Sequence, residues 1–174
     1  NTGGTIEATG VGSDTGDPSV VELDNTRIRG GTLRGVDGGV VANFDSTSAI
    51  LDAADGTMTF IGTIVAGTAQ TILDGKAGSA FENQGTFLVD SEAEVDPTTS
   101  SAILLLADDS QITFTGNGVL RLNGPFSTVA ALGVDEPMLR NDAGHKIRGA
   151  GELGSGEMFL DNRGTIIADI DGET

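Results

Sequence analysis

Cysteine, tryptophan and tyrosine are absent from this sequence of 174 residues, and proline occurs only 4 times. The absence of cysteine excludes disulfides, thiolate zinc sites and cysteine nucleophiles. The absence of tryptophan and tyrosine removes the aromatic faces on which carbohydrate-cleaving enzymes commonly hold sugar rings. No signal-peptide pattern is present, and no apolar run approaches the ~20 residues that a membrane-spanning helix needs. Thiol chemistry and membrane insertion are therefore not expected.

Positive charge is also scarce. Lys and Arg number 9 against 26 Asp and Glu, which gives a formal net charge of −17. A surface of this sign repels phosphate backbones and anionic lipids, so the composition argues against nucleic-acid binding and lipid-surface roles. Divalent cations and high-salt surroundings are compatible with it, because salt screens the self-repulsion within roughly 10 Å at 0.1 M.

What the chain does contain is a set of internal repeats. An apolar residue, a variable residue and an asparagine recur four times, and aspartate takes the third place in three further copies. A second pattern, apolar-x-Gly-x-Gly-x-Leu, occurs at 114–120 and 147–153. The spacings cluster at roughly 20–35 residues, which is typical of structural repeats with loop insertions. The third-place residues are Asn25, Asn83, Asn141, Asn162, Asp52, Asp74 and Asp108.

Short runs in which apolar and polar residues alternate lie between these repeats, as in 57–67, 110–116 and 164–170. Period-two alternation predicts β-strands with one buried face. The only stretch compatible with a helical turn is 126–133. Because the chain also carries 27 glycines for tight corners, it is predicted to form one all-β domain over 1–174, a parallel β-solenoid with irregular coil lengths.

The repeated asparagines are predicted to lie at the corners of the coils. Asparagine tolerates the left-handed backbone of a sharp corner, and its amide can hydrogen-bond to an asparagine one coil away. Segments 9–19, 91–100 and 124–137 combine proline with polar or small residues and are predicted to be loops. The apolar places of the repeated strands predict a buried core at Ile28, Leu33, Ile112, Leu120, Ile147, Leu153 and Ile166.

Three segments resemble repeats of large secreted bacterial surface proteins, the filamentous-haemagglutinin-like and autotransporter-like adhesins. They are LDNTRIRGGTLRG at 23–35, LRNDAGHKIRGAGELGSG at 139–156 and LDNRGTIIAD at 160–169. The resemblance implies a right-handed parallel β-helix in an extracellular or cell-surface protein that acts as an adhesin stalk, fibre or scaffold. It concerns architecture and not activity. The chain departs from the family in its irregular repeat lengths, and no secretion-signal module is recognisable in it.

Asp108 and Asp109, with Arg121 about one strand further along, are the strongest candidates for catalysis. Neighbouring carboxylates can serve as general acid and base, and some polysaccharide lyases and hydrolases use a β-helix scaffold. Asp108, however, stands where other repeats have asparagine, which favours a structural corner. The only histidine, His145, has no nucleophile motif beside it and is predicted to be a surface residue. The sequence therefore predicts no catalytic residue.

Calcium is the one cofactor for which the sequence offers ligands. Residues 169–174 open with the Asp-x-Asp-Gly order of a calcium loop, and 90–96 is rich in acids. Calcium takes about six to eight oxygen ligands, and neither segment supplies a full set alone. The candidate ligands are Asp90, Asp96, Asp169 and Asp171, with a solvated acidic loop as the alternative.

Basic residues within the repeats form a candidate docking patch for a host or environmental glycan that is anionic. Arg27, Arg29 and Arg34 lie in one repeat, and Lys146 and Arg148 lie in a later one. Arg29 and Arg148 take the same place in the sequence Ile-Arg-Gly, so both are predicted to project from one face. Surface salt bridges are the alternative interpretation of these residues.

These observations favour a structural or adhesive module of the extracellular space or cell surface, without catalysis. A carbohydrate-active enzyme on the same scaffold is the alternative, and it would show a concave face lined with polar groups. A calcium-stabilised surface module is a second alternative. Because the sequence begins and ends inside repeat motifs, we expect a segment of a longer chain, packed end to end with neighbouring β-solenoid coils or other subunits.

Overall fold

The computed structural model describes residues 3–12, 15–44, 48–53, 56–68, 70–91, 101–133, 135–155 and 158–169. Every regular element in these ranges is a β-strand. In chain order the strands are β1 Thr5–Thr9, β2 Val20–Glu22, β3 Arg27–Arg29, β4 Gly31–Asn43, β5 Ala49–Asp52, β6 Thr57–Ala66, β7 Gln70–Asp74, β8 Ala80–Asn83, β9 Thr86–Asp90, β10 Ala102–Leu106, β11 Gln111–Thr115, β12 Val119–Asn123, β13 Ser127–Ala131, β14 Met138–Asn141, β15 Lys146–Gly149, β16 Glu152–Ser155, β17 Phe159–Asn162 and β18 Thr165–Ala168.

The strands stack in three columns, and one passage of the chain through the three columns makes one coil. The first column runs from β1 and the first half of β4 through β6, β8, β11 and β14 to β17. The second runs from β2 through the second halves of β4 and β6, then β9, β12 and β15, to β18. The third contains β3, β5, β7, β10, β13 and β16. All these pairs are parallel and give about five turns, which confirms the predicted β-solenoid.

Coil length varies while the register of the columns is kept. The sequence predicted repeats of roughly 20–35 residues, and the observed steps between register partners fall within that range. The partners are 27 residues apart for Leu33 and Phe60 (60 − 33), 23 for Met58 and Phe81 (81 − 58), 33 for Phe81 and Phe114 (114 − 81), 27 for Phe114 and Asn141 (141 − 114), and 21 for Leu139 and Leu160 (160 − 139). The extra residues of long coils therefore lie mainly between columns, although the pairing of β13 with β16 has a register shift after Val129.

Ladders of inward-facing apolar residues fill the solenoid. In the second column, register partners Ile64, Phe87, Leu120 and Ile147 are all buried. The next partner, Ile166, is 41% exposed because β18 is the last strand of this column in the described part of the chain.

The predicted core is thus confirmed at four of its seven places, which are Leu33, Ile112, Leu120 and Ile147. Ile28 and Leu153 are only partly buried, although both pack against the core. The prediction for Ile166 was wrong. The coil of β17 and β18 is covered by a neighbouring coil on one side only among the described residues, which leaves Ile166 exposed.

Replacing Ile147 with alanine is expected to lower the free energy of unfolding by about 2–5 kcal/mol, because it removes a fully packed ladder residue. Ile166→Ala, one coil further along the same ladder, is expected to cost less than half of that. Chemical denaturation of the two variants measures both values. Equal losses would contradict the burial difference between these two coils.

The segment 124–137, predicted to be a loop, contains strand β13. The helical turn expected at 126–133 was wrong for the same reason. β13 pairs with β10 on one side and β16 on the other, and its residues Ser127 and Val129 are buried. Pairing with two neighbouring strands overrides the weak local preference of a small-residue sequence. The predicted loop 9–19 does leave the coils after β1, and its described residues, 9–12 and 15–19, carry an isolated antiparallel bridge between Val11 and Pro18.

Candidate functional site

The chain turns from the first to the second column at a row of glycines, here named the glycine corner. In four of the five coils from β6 to β18, a glycine directly precedes the second-column strand or strand half, and these segments are in register; the glycines are Gly62, Gly85, Gly118 and Gly164. Gly35, the register partner of Gly62, extends the row. A Cβ atom built on Gly62 would lie 1.7 Å from the carbonyl oxygen of Gly35, and one on Gly85 would lie 2.0 Å from that of Gly62. These coils approach too closely for a side chain there.

His145 takes the glycine place in one coil, directly before β15. Its side chain is 0% exposed, and its ring stacks on Phe114 with centroids 5.0 Å apart and planes 15° apart. The prediction of a surface histidine was therefore wrong. The reason is positional, since the imidazole at this corner points into the solenoid and not away from it.

The ring of His145 packs at the end of a cluster of four buried phenylalanine rings, which we name the phenylalanine stack. Phe60, Phe81, Phe87 and Phe114 are all 0% exposed. Their neighbouring ring centroids are 5.1–6.3 Å apart, within the range of favourable aromatic pairs. The phenylalanine stack spans three coils, and Phe114, in the last of them, contacts the ring of His145.

His145 also joins three asparagines in what we name the amide network. Its Nε2 lies 3.1 Å from Nδ2 of Asn83, and its Nδ1 lies 2.7 Å from Oδ1 of Asn141. Asn141 Nδ2 in turn donates to Oδ1 of Asn162 at 2.7 Å. Burial lowers the pKa of His145 from its ordinary 6.5 to about 4, so the ring is neutral at physiological pH.

The predicted corner asparagines fall in three different settings. Asn25 is exposed and has a left-handed backbone, with φ of 41°. Asn83 and Asn141 are fully buried at the ends of β8 and β14, and Asn162 is exposed at the end of β17. Asn141 and Asn162 are register partners, whereas Asn83 is in register with Phe60. Within the amide network, Asn141 and Asn162 therefore join two adjacent coils directly, and Asn83 is connected to them through His145.

The predicted corner aspartates include one stacked pair. Asp52 and Asp74 are register partners at the ends of β5 and β7. Arg27 bridges them, with Nη1 3.2 Å from Asp52 Oδ2 and Nη2 2.6 Å from Asp74 Oδ2. The two carboxylates, which would repel each other across the strands, share one guanidinium. Asp108 lies in the turn after β10 and accepts the backbone N–H of Asp135 at 2.8 Å.

The structure does not bring the catalytic candidates together. Asp108 and Asp109 lie in the turn between the third and first columns, and Asp109 has a left-handed backbone with φ of 54°. Arg121 lies on β12, in the second column, beside its register partner Arg148.

The two arginines expected to share one face lie in different columns. Arg29 is on β3, in the third column, while Arg148 is on β15, in the second. The shared Ile-Arg-Gly sequence therefore does not mark equivalent places, and that prediction was wrong. Arg29 lies 3.7 Å from Asp52, and Arg34 pairs with Glu7.

Two of the four calcium candidates have other polar partners. Asp90 accepts a hydrogen bond from Nδ2 of Asn123 at 2.9 Å. Asp169 pairs with Arg148, whose guanidinium holds the pKa of that carboxyl below its ordinary value. Asp96 and Asp171 lie outside the described residues. Among the residues that are described, no three acidic or histidine side chains form a metal-binding group.

The described ranges contain no helix with the length and apolar character that a membrane crossing requires. Comparison with protein-family models, with curated proteins and with solved structures found no match to this chain. The resemblance to secreted bacterial adhesins therefore rests on the β-solenoid architecture and on the repeat segments themselves.

Proposed function

We propose that this protein is a structural or adhesive β-solenoid module of the extracellular space or cell surface, without catalysis, that packs end to end with further β-solenoid coils. The observation that supports this most directly is the outer side of the coil formed by β17 and β18. Leu160 and Ile166 are about two-fifths exposed there, yet their register partners Leu139 and Ile147 are buried.

Parallel strand edges add to the apolar surface of this coil. β17 and β18 each pair with one strand only among the described residues. Unpaired edge groups and apolar ladder residues together are the surface on which another coil can pack. On the outward sides of the same two strands, Phe159 and Ile167 are 58% and 39% exposed and add apolar area beside this surface.

The outward sides of the coils suit a rod better than a cleft. Arg140 and Arg163 both pair with Asp161. Their hydrogen bonds, with that from Arg140 as the larger cause, hold the pKa of the Asp161 carboxyl below its ordinary value. Such exposed pairs contribute little to stability but keep the surface solvated. The absence of cysteine and the resemblance to secreted adhesins support an extracellular or surface location.

End-to-end packing is expected to make the chain self-associate at high ionic strength, where the charge of −17 is screened. Analytical ultracentrifugation across protein and salt concentration measures this association. The double variant Leu160→Lys with Ile166→Lys should weaken it at least tenfold, because charge is placed on the packing surface. Thr165→Lys, an exposed change on the same coil, should have a much smaller effect.

If the unaltered chain stayed monomeric at millimolar concentration in high salt, end-to-end packing would be contradicted. The enzyme alternative has its own test. Reproducible release of reducing or unsaturated ends from an acidic polysaccharide, lost in Asp109→Ala, would show that the protein is catalytic.

A further inference from the structure

The hydrogen-bond partners of His145 determine which ring nitrogen carries the proton. Asn83 Nδ2 donates to the carbonyl oxygen of Val119 at 3.0 Å, and Asn83 Oδ1 accepts the backbone N–H of Gly85 at 3.1 Å. These backbone contacts orient the amide so that its Nδ2–H group faces the ring. His145 Nε2 must therefore be the acceptor, and Nδ1 carries the proton.

The other side of the ring agrees with this assignment. Asn141 Nδ2 donates to Asn162 Oδ1 at 2.7 Å and lies 3.4 Å from the carbonyl oxygen of Thr165. Asn141 Oδ1 is thus left to accept the Nδ1–H of His145. Only the neutral Nδ1–H form satisfies every member of the amide network.

A second proton on His145 would place a donor against a donor. The new Nε2–H would face Nδ2 of Asn83, and rotating that amide by half a turn would break its bonds to Val119 and Gly85. A buried charged group without an acceptor is strongly unfavourable. The protonated ring is therefore stable only if it reaches water.

The coil formed by β17 and β18 covers the direct way out. A Cβ atom built on Gly164 would lie 2.3 Å from the carbonyl oxygen of His145 and 2.7 Å from Nδ2 of Asn141. This coil packs on neighbouring strands from one side only in the described part of the chain, unlike the coils that hold Asn83. It can therefore move away from the solenoid while breaking strand pairing on a single side.

We propose that His145 is a pH-sensitive switch whose protonation releases the coil of β17 and β18 from the rest of the solenoid. The released coil also carries the proposed packing surface, so the switch concerns a chain on which no further coil is packed there. The switch combines a buried acceptor at Nε2, an amide that cannot rotate and a covering coil that is held from one side.

Charged side chains on the surrounding elements do not contact the ring. They are Glu82 on β8, Arg121 on β12, Arg140 on β14, Asp142 before and Lys146 after His145, Arg148 on β15, Asp161 on β17 and Arg163 in the corner before β18. Glu82 accepts a hydrogen bond from Gln84, and Arg163 pairs with Asp161. Within the described residues, burial alone accounts for the lowered pKa of His145.

The direction of the pH effect follows from this lowered pKa. Below pH 6.5 the opened coil, with a solvated His145, binds a proton that the closed coil does not bind until about pH 4. Acid therefore raises the equilibrium constant for opening of this coil by on the order of 100-fold between pH 7 and pH 4. The carboxyls of Asp161 and Asp169 have pKa values below their ordinary 3.8. Their pairs with arginine are lost only at lower pH.

The single histidine of the chain allows a direct test in the unaltered protein. Its ring signals in heteronuclear NMR should show the Nδ1–H form at pH 7 and a titration midpoint near 4. Over the same range, amide exchange in β17 and β18, corrected for intrinsic rates, should lose protection roughly 100-fold more than exchange in β6 and β9.

The variant His145→Gln supplies the control, since glutamine can accept from Asn83 and donate to Asn141 but cannot be protonated. Its protection difference between β18 and β9 should stay constant from pH 7 to pH 4. A midpoint near 6.5 in the unaltered protein, or equal loss of protection in all four strands, would overturn the proposal. Neither result would bear on self-association at neutral pH.

Discussion

Gly85→Ala is expected to lower the free energy of unfolding by about 3 kcal/mol or more, or to prevent folding altogether. The added Cβ would lie 2.0 Å from the carbonyl oxygen of Gly62 and 2.4 Å from its backbone nitrogen. Both atoms belong to the backbone of a neighbouring buried coil, so no flexible side chain can move aside. The two coils would have to separate at the corner, where Gly85 also donates its N–H to Asn83.

Gly56→Ala is the matched control. Among the described residues, the nearest atom to a Cβ there would be the carbonyl oxygen of Ala53, at 4.0 Å. The free energy of unfolding of this variant should be within about 0.5 kcal/mol of that of the unaltered protein. Urea denaturation of both variants measures the difference. A Gly85→Ala protein as stable as Gly56→Ala would mean that the coils do not meet at this corner.

The second large effect is expected at Phe114. Its replacement by alanine should lower the free energy of unfolding by about 3–5 kcal/mol. The ring is fully buried and touches Phe81, Phe87 and His145 in three directions. Its removal leaves a cavity at the centre of a stack that cannot collapse, because strands on both sides fix the coil spacing.

Phe126→Ala provides the comparison. Because the Phe126 side chain is 49% exposed, its removal should lower the free energy of unfolding by less than about 1 kcal/mol. A second measurement separates lost packing from a changed histidine environment. With Phe114 removed, water can approach His145, and the pKa of the imidazole should rise from about 4 toward 6.5. If the midpoint of His145 did not change in Phe114→Ala, stacking on Phe114 would play no part in its burial.

Much of the fold could be predicted because strand alternation and core ladders are local features of the sequence. Runs such as 57–67 and 110–116 alternate with a period of two, and both became strands with one buried face. Recurrent Gly and Asn placed the corners at intervals of roughly 20–35 residues. A parallel β-solenoid follows from these two features, since each short strand needs a neighbouring coil to bury its apolar side.

The features that sequence reasoning missed depend on contacts between coils. The burial of His145 follows from its place in a row of glycines, which is visible only once Gly118 and Gly164 are known to be its neighbours. Strand β13 forms because β10 and β16 lie on its two sides, although its own residues are small. Ile166 carries the same pattern as Ile147 but lies in a coil covered on one side. No local pattern distinguishes Ile166 from Ile147.

A signal for His145 was nevertheless present in the sequence. In the repeats that end in Asn83, Asn141 and Asn162, a glycine precedes the following strand twice, at Gly85 and Gly164. The repeat with Asn141 has histidine instead. A polar aromatic residue in a place otherwise held by glycine indicates a side chain with a specific partner inside.

The nearest-neighbour stacking of the coils also bears on how fast this protein can fold. Residues that meet along a ladder are typically 27 positions apart in a chain of 174, a relative separation of about 0.15. All-β sandwiches, whose partners are drawn from distant parts of the chain, commonly have larger values and fold slowly. Each new coil here closes a loop of similar, modest size on a coil already in place. The chain can therefore reach its final topology by sequential addition from the phenylalanine stack outward, without waiting for its two ends to meet.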